Sequence, residues 1–287
     1  MTPALTNPED HDAAREQAWQ ARLALRFARE GAVSRLVGNA HYGPLRVQKS
    51  LHPEGDAVCH AIVVHPPGGV VGGDQLAIKV DVGHGAHALL TTPGAGKWYR
   101  ANGRTSRQEL RLHVGADAAL EWLPQETIFY DRAEVALEQE ISLAAGATYL
   151  GCDILCMGRR ASGESFARGR IRQRTSIRRG GRLIWWEQGA LQGGQLDSPF
   201  ALHGHSVCAT LIAAGTLIPA ALVEQVRAEA QEQGWPAFGV SQTKEVFTAR
   251  HLGDDSEAAR RIMLAVWRRL RPHLLGREAV TPRIWQT

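Results

Sequence analysis

From Trp19 onward, large apolar residues alternate with polar ones. Trp19, Ala21, Leu23, Leu25 and Phe27 share one phase, the period of a half-buried strand. Short strand-like runs broken by Gly, Pro and Asp turns continue to about residue 215, with almost no helical periodicity. Four of them, "VDVGHGAHALLTTPG" (80–94), "LHVGADAALEWLPQ" (112–125), "ISLAAGATYLGCDIL" (141–155) and "SIRRGGRLIWWEQ" (176–188), share one plan. Each has a strand, a tight turn, and a second strand richer in large apolar side chains. Their recurrence about every 30 residues predicts stacked hairpin rungs, each burying its apolar face on the next. The fold expected is mainly β and solenoid-like over 19–215. Counted from the turns, Asp153 and Glu187 fall at near-equivalent places on successive rungs, close together across the sheet. Carboxylates among such apolar neighbours are costly to bury without a partner, so the alternative is that both pair with arginine.

The pattern changes after residue 215. Pro219–Gln233 has helical spacing with Gly234 as its stop, and Lys244–Leu252 reads as a strand. Asp254, Asp255 and Ser256 offer caps for a second helix that carries Ile262, Val266 and Leu270 on one face and ends before Pro272. Residues 216–287 thus form a strand-and-helix portion with two helices, expected to pack on the β-stack as an appendage.

Residues 1–18 are polar and lack the apolar core of a signal peptide. No run approaches the roughly 18 to 20 apolar residues that span a bilayer. A cytoplasmic protein with no membrane partner is expected. The 287 residues are 44% hydrophobic, enough for a substantial core, and the net charge is only +4, so a dedicated nucleic-acid surface is not expected. The basic cluster of Arg168, Arg170, Arg172, Arg174, Arg178, Arg179 and Arg182 alternates along one strand and reads as a solvated face rather than a phosphate site. Four cysteines, Cys59, Cys152, Cys156 and Cys208, are too few for a disulfide framework and read as free, buried thiols.

Several stretches carry candidate chemistry. "TTPGAGKWYR" (91–100) looks like a phosphate loop, but the first glycine of Gly-x4-Gly-Lys-Ser/Thr is Thr91 here and the closing hydroxyl position is Trp98. A polar, turn-rich segment follows instead of a helix, so the chain binds no nucleotide there. "HPPGGVVGGD" (65–74) reads either as a structural crossing loop or as a loop shaped to present Asp74. His203 and His205 could show two imidazoles on one strand face. Cys152 and Cys156 bracket Asp153 as soft donors, although buried structural thiols are the simpler reading. Glu121, Glu126 and Asp131 could form a paired-carboxylate site or be scattered strand-end acids. No GxSxG elbow supports a hydrolase. A metalloenzyme built on Asp153, Glu187 and histidines would need a closed set of three or four ligands, and no such spacing is present.

"HPPGGVVGGDQL", "LLTTPGAGKWYRA", "LEWLPQETIFYDRA", "DILCMGR", "GESFARG" and "VWRRLRPHLLGREAVTPRIWQT" resemble, in order, the motifs of the urease accessory protein UreD (UreH) family. The resemblance covers the single domain 19–287 and leaves 1–18 as a variable leader. It implies a β-rich, non-enzymatic scaffold that acts on urease apoprotein with UreF and the GTPase UreG to load nickel, and a dimer formed through the UreF complex. No tightly bound cofactor is implied, only transient Ni2+ passing Asp74, Asp153 and Glu187, whose spaced carboxylates would hold the ion weakly. Lys97, Tyr99 and Arg100 of the same motif set are candidates for partner contact. Where relatives often carry Ser or Thr before that lysine this chain has Gly96, and Trp98 stands for the usual Phe, so no metal role follows for Gly96.

Overall fold

The computed structural model describes residues 18–286; the leader's residues 1–17 lie outside the described part. Two sheets face each other. The first contains β1 (Gln20–Glu30), β2 (Val33–Tyr42), β5 (Gln75–Val82), β8 (Ser106–Val114), β11 (Glu134–Leu143), β13 (Arg170–Arg179) and β14 (Arg182–Gln192), in the order β14-β13-β11-β8-β5-β1-β2. The second runs β16 (Phe238–Thr243), β17 (Val246–Gly253), β15 (Val207–Ala214), β12 (Thr148–Met157), β9 (Ala119–Leu123), β6 (His87–Thr91), β4 (Cys59–Val64) and β3 (Arg46–Val47), with short β7 (Gly96–Trp98) and β10 (Thr127–Phe129) at its side.

The architecture is the stacked, solenoid-like β fold expected, with one change. In the first three repeats the two strands do not pair as a hairpin. β5, β8 and β11 are parallel neighbours in the first sheet. Their successors β6, β9 and β12 are parallel neighbours in the second. Each repeat is therefore a coil that crosses between sheets at a tight corner. Gly85, Asp117 and Gly146 hold the left-handed conformation at equivalent corner positions, with φ of 64°, 53° and 67°. The next residues, Ala86, Ala118 and Ala147, stack inside with at most 2% exposure, because a larger side chain would not fit so sharp a bend. The fourth repeat differs. β13 and β14 stay in one sheet as an antiparallel hairpin.

The opposite corner explains the sequence motifs. Val70, Trp98, Phe129 and Met157 come from "GGVV", "GKWY", "TIFY" and "LCMG" and stack one per coil through a bridge and two parallel ladders. All four are buried, and the Trp98 and Phe129 rings stack with centroids 6.4 Å apart. One position further on, Tyr99 meets Tyr130 edge-on at 4.8 Å, and Arg159 lies 4.4 Å over the Tyr130 ring.

Two helices follow. Pro219 is the N-cap of α1 (Ala220–Glu232). Asp255 caps α2 (Ser256–Leu275), its side chain accepting from the amides of Glu257 and Ala258. α2 does not end before Pro272 but runs through it to Gly276. In the last turn the proline removes only one backbone bond, and Arg271 and Leu274 on either side of it are buried. β15 and β17 extend the second sheet, β16 completes a hairpin that the sequence reading left out, and α2 lies over β12, β15 and β17. Among the described residues no helix is long and apolar enough to cross a membrane.

α2 is fixed by buried charge as well as by apolar contact. Glu121 on β9 is wholly buried and accepts from Trp267 Nε1 at 2.7 Å, from Arg271 Nε and Nη2 at 3.0 Å each, and from His87 Nε2 at 2.8 Å. Arg271 also pairs with Glu54 at 2.7 Å, and His60 Nε2 donates to Glu54 at 2.6 Å. Burial pushes Glu121 up, but the bonds and charges of His87 and Arg271 outweigh it and bring its pKa to about 2.

Glu121→Ala leaves Arg271 and His87 without this partner and is expected to cost about 3–5 kcal/mol in urea unfolding. The folded-state pKa lies below the ordinary one, so the stabilisation is complete above about pH 4.5 and fades as pH falls toward 2. An acid titration of wild-type stability checks this, and the variant should lack that component. Trp98→Ala, which empties one level of the corner stack, is expected to cost about 3–5 kcal/mol in the same assay.

Candidate functional site

In successive strands of the first sheet, one inward-facing row reads Leu23, Ile78, Leu110, Gln139, Thr175, Glu187 in cross-strand register. The row is apolar at one end and polar at the other. The adjacent row, Ala21, Leu76, Gln108, Leu137, Gln173, Gly189, shifts in the same way. Opposite, on the second sheet, Asp153, Thr210 and Arg250 are register neighbours on β12, β15 and β17. Polar side chains on both inner faces leave the interior unfilled at this end, and a cavity of about 390 Å³ lies there, lined by Gln139, Asp153, Thr175, Glu187, Cys208 and Arg250 among others.

Asp153 is thus brought to Glu187, though not as neighbours in one sheet. They lie on opposed sheets, because the third repeat carries Asp153 across the corner while the fourth stays in the first sheet. The two acids differ in partners. Glu187 is held by Arg250 Nη2 at 2.6 Å. Asp153 has no arginine in the described residues and accepts from Gln139 Nε2 at 2.6 Å. Pairing with arginine therefore describes one acid and not the other. Enclosure by protein is the largest influence on Asp153. It outweighs the Gln139 bond, and with the negative charge of Glu187 it raises the pKa to about 6.

Asp153 also lines a second cavity, of about 280 Å³, whose walls include His65, Gly68, Thr92, Lys97, Gln108 and Glu126. It is the one described residue common to both. The second cavity opens between the 65–74 loop and the 92–97 loop, where Lys97 and Arg100 are exposed and Tyr99 is half-buried. The glycines of the first loop serve packing here: a Cβ on Gly69 would come within 2.3 Å of the Tyr99 ring. Asp74 closes the same loop. It is 5% exposed, and its carboxylate accepts from the amides of Val71 at 3.0 Å and Trp19 at 2.9 Å. Its charge reaches His65, although burial dominates there and lowers the imidazole pKa.

The other candidates are dispersed. Strand alternation puts Cys152 and Cys156 on the face of β12 opposite to Asp153, packed in the helix-side core, and burial raises both thiols to about 12. His203 and His205 sit in a turn-rich loop, not on a strand. His203 has φ 51°, and His205 lies 3.3 Å from Asp254. Glu121, Glu126 and Asp131 form no pair: Glu126 binds Arg260 at 2.7 Å, and Asp131 accepts from the Arg168 amide at 2.7 Å. Among the described residues no group of three or more His, Cys, Asp or Glu side chains is placed to hold a metal ion. Gln139, Thr175 and Arg250 also belong to the site and are not among the candidates named from sequence. The first two were visible as polar residues in the apolar phase of "EVALEQEISL" and "RIRQRTSIRR".

The fold is thus a β-solenoid with a helical cover, whose polar interior is shared by two cavities that meet at Asp153. The family model described as UreD urease accessory protein matches residues 20–286. A urease accessory protein UreD of Janthinobacterium sp. (strain Marseille) is 58% identical over 272 residues, covering 93% of this chain and 92% of the relative. That of Nitrosospira multiformis is 50% identical, covering 93% and 98%, and that of Pseudomonas aeruginosa (strain UCBPP-PA14) is 46% identical over the whole of both chains. The chain belongs to the UreD urease accessory protein family.

The pKa of Asp153 is raised, so its ionisation opposes folding. Stability is unaffected below about pH 4 and falls as pH rises through about 6. Asp153→Asn retains an acceptor for Gln139 without the charge. It should remove this fall, on the order of 1–3 kcal/mol between about pH 4 and 7, in urea melts compared with wild type.

Proposed function

We propose that the chain is a non-catalytic cytoplasmic maturation factor for urease that passes Ni2+ through its interior to the urease apoprotein, as a scaffold acting with UreF- and UreG-type partners. The observation that carries this reading is Asp153, one carboxylate lining both interior cavities, with Glu187 further along the larger one. In this reading the ion is cargo. Asp153 and Glu187 offer oxygen donors spaced along a path, and too few at any one point to retain the metal, which suits hand-over better than storage. Passage requires Glu187 to exchange Arg250 for the ion, and Asp153, largely ionised at neutral pH, to give up the amide of Gln139. Asp74, the third acid expected on the path, lines neither cavity and spends its carboxylate on two backbone amides, so in this reading it orders the loop beside His65 and does not hold the ion. The GTP-hydrolysing step belongs to a partner, since Thr91 and Trp98 stand where a phosphate loop needs Gly and a hydroxyl. A standalone metalloenzyme would need a closed ligand set, and the donors here lie apart.

The reading is tested by measuring urease activation in cells carrying Asp153→Ala with Glu187→Ala, together with pull-down of the UreF-type partner. Activation at the background of cells lacking the gene, with the partner still bound, is the expected result. Unchanged activation would show the two acids to be structural and reject the passage.

A further inference from the structure

The outer face of the first sheet has a feature that the interior passage does not use. Arg107, Ala136 and Arg172 are register neighbours on β8, β11 and β13, followed by Ala190 on β14. The alanine leaves a dip between two arginines that stand two strand spacings apart, about 10 Å. Arg170 and Arg174 flank Arg172 on the same side of β13. The resulting concavity, about 440 Å³, has four guanidinium groups in its wall and the single carboxylate of Glu138. Glu138 is already shared, bonding Arg107 at 2.9 Å and Arg174 at 2.6 Å. Arg170 and Arg172 are exposed and have no ion pair or side-chain hydrogen bond among the described residues. Glu134 neighbours Arg170 in register without an ion pair between them, so the dip holds a net excess of positive charge, greatest at Arg172, over a floor of methyl groups.

Apolar surface adjoins it. Arg178 pairs in register with Leu183 and Ser176 with Trp186, which puts both apolar residues on this outer face of the edge strand β14. They are 42% and 51% exposed, and the Arg174 guanidinium lies 5.9 Å over the Trp186 ring. Exposed Trp beside Arg at an open edge is the composition of a protein-binding surface. A nucleic-acid backbone fits less well, because Glu109, Glu138 and Glu140 interrupt the basic surface that evenly spaced phosphates need, whereas a protein segment can place a few carboxylates over the arginines alone.

We propose that this face docks an acidic segment of a partner protein. A carboxylate enters the dip over Ala136 between Arg107 and Arg172, a second meets Arg170, and an apolar side chain rests on Trp186 and Leu183. Guanidinium forks suit carboxylates through paired hydrogen bonds, and the shallow alanine floor lets a short acidic side chain reach them. The site faces away from Asp153 and Glu187, so it stands or falls independently of the nickel passage.

The test uses the full chain and a fluorescein-labelled peptide with alternating glutamates and a central leucine, titrated by anisotropy at low and moderate salt. Arg170→Glu with Arg172→Glu is expected to weaken binding about 10-fold or more, since charge reversal replaces attraction by repulsion at two contacts. Arg22→Glu with Lys79→Glu, an equal charge change elsewhere on the same sheet face, should leave binding within about 2-fold. Trp186→Ala should weaken it separately, and the glutamine version of the peptide should not bind. No binding of the glutamate peptide, equal loss in both charge variants, or tighter binding of single-stranded DNA at the same arginines would each overturn the proposal.

Discussion

A carboxylate without solvent contact persists beside α2 because Trp267, Arg271 and His87 all point their donors at it, and much of the molecule's arrangement follows from that requirement. Glu121 belongs to a coil of the β-stack, whereas Trp267 and Arg271 belong to the helix over it. The bond network therefore fixes the register of α2 against the second sheet, where apolar packing alone would tolerate sliding. Glu54 and His60 extend the network to the segment around β4, so three distant parts of the chain meet at one guanidinium. With α2 so placed, the helix side of the second sheet is sealed, and Cys152 and Cys156 are closed off as core thiols.

The same sheet has an opposite fate on its inner side. Tight corners with stacked alanines hold the two sheets together at one edge, and the Val70–Trp98–Phe129–Met157 stack closes the other. Toward β13 and β14 the inward positions become Gln139, Gln173, Thr175 and Glu187, which cannot interdigitate as Leu and Ile do. A polar group facing another sheet must find a partner or water, so this end of the interior stays open around Asp153. The geometry that makes a solenoid stable thus also defines where it is hollow.

The outer face of the first sheet is divided in the same residue-by-residue way. Arg179 and Arg182 of the basic cluster, in register with each other and in the inward phase of Thr175 and Ile177, turn away from it to Glu245. Arg107 and Arg174 share Glu138, while Arg170 and Arg172 remain uncommitted over small residues. What reads along the chain as one alternating basic run is, in space, a set of different electrostatic environments.

The fold was legible to the extent that it depends on local period. Alternation gave the strands, the recurring turns gave the stacking, and Asp255 gave the start of α2. Whether a repeat's second strand returns beside the first or crosses to another sheet was not legible, since Gly-Gly at 180–181 and Gly-Ala at 85–86 look alike while one makes a hairpin and the other a corner. The candidate acids were visible as charges in apolar surroundings, and Gln139 and Thr175 as interruptions in a core phase. Their partners were not, because Gln139–Asp153, Glu187–Arg250 and Glu121–Arg271 join residues far apart in the chain or on different sheets. Which positions turn inward follows from the residue pattern alone, because strand period is a property of the local backbone. Which inward charges are neutralised, as Glu121 is, and which face a cavity, as Asp153 does, is set by the packing of distant segments, because it depends on what the opposing layer presents.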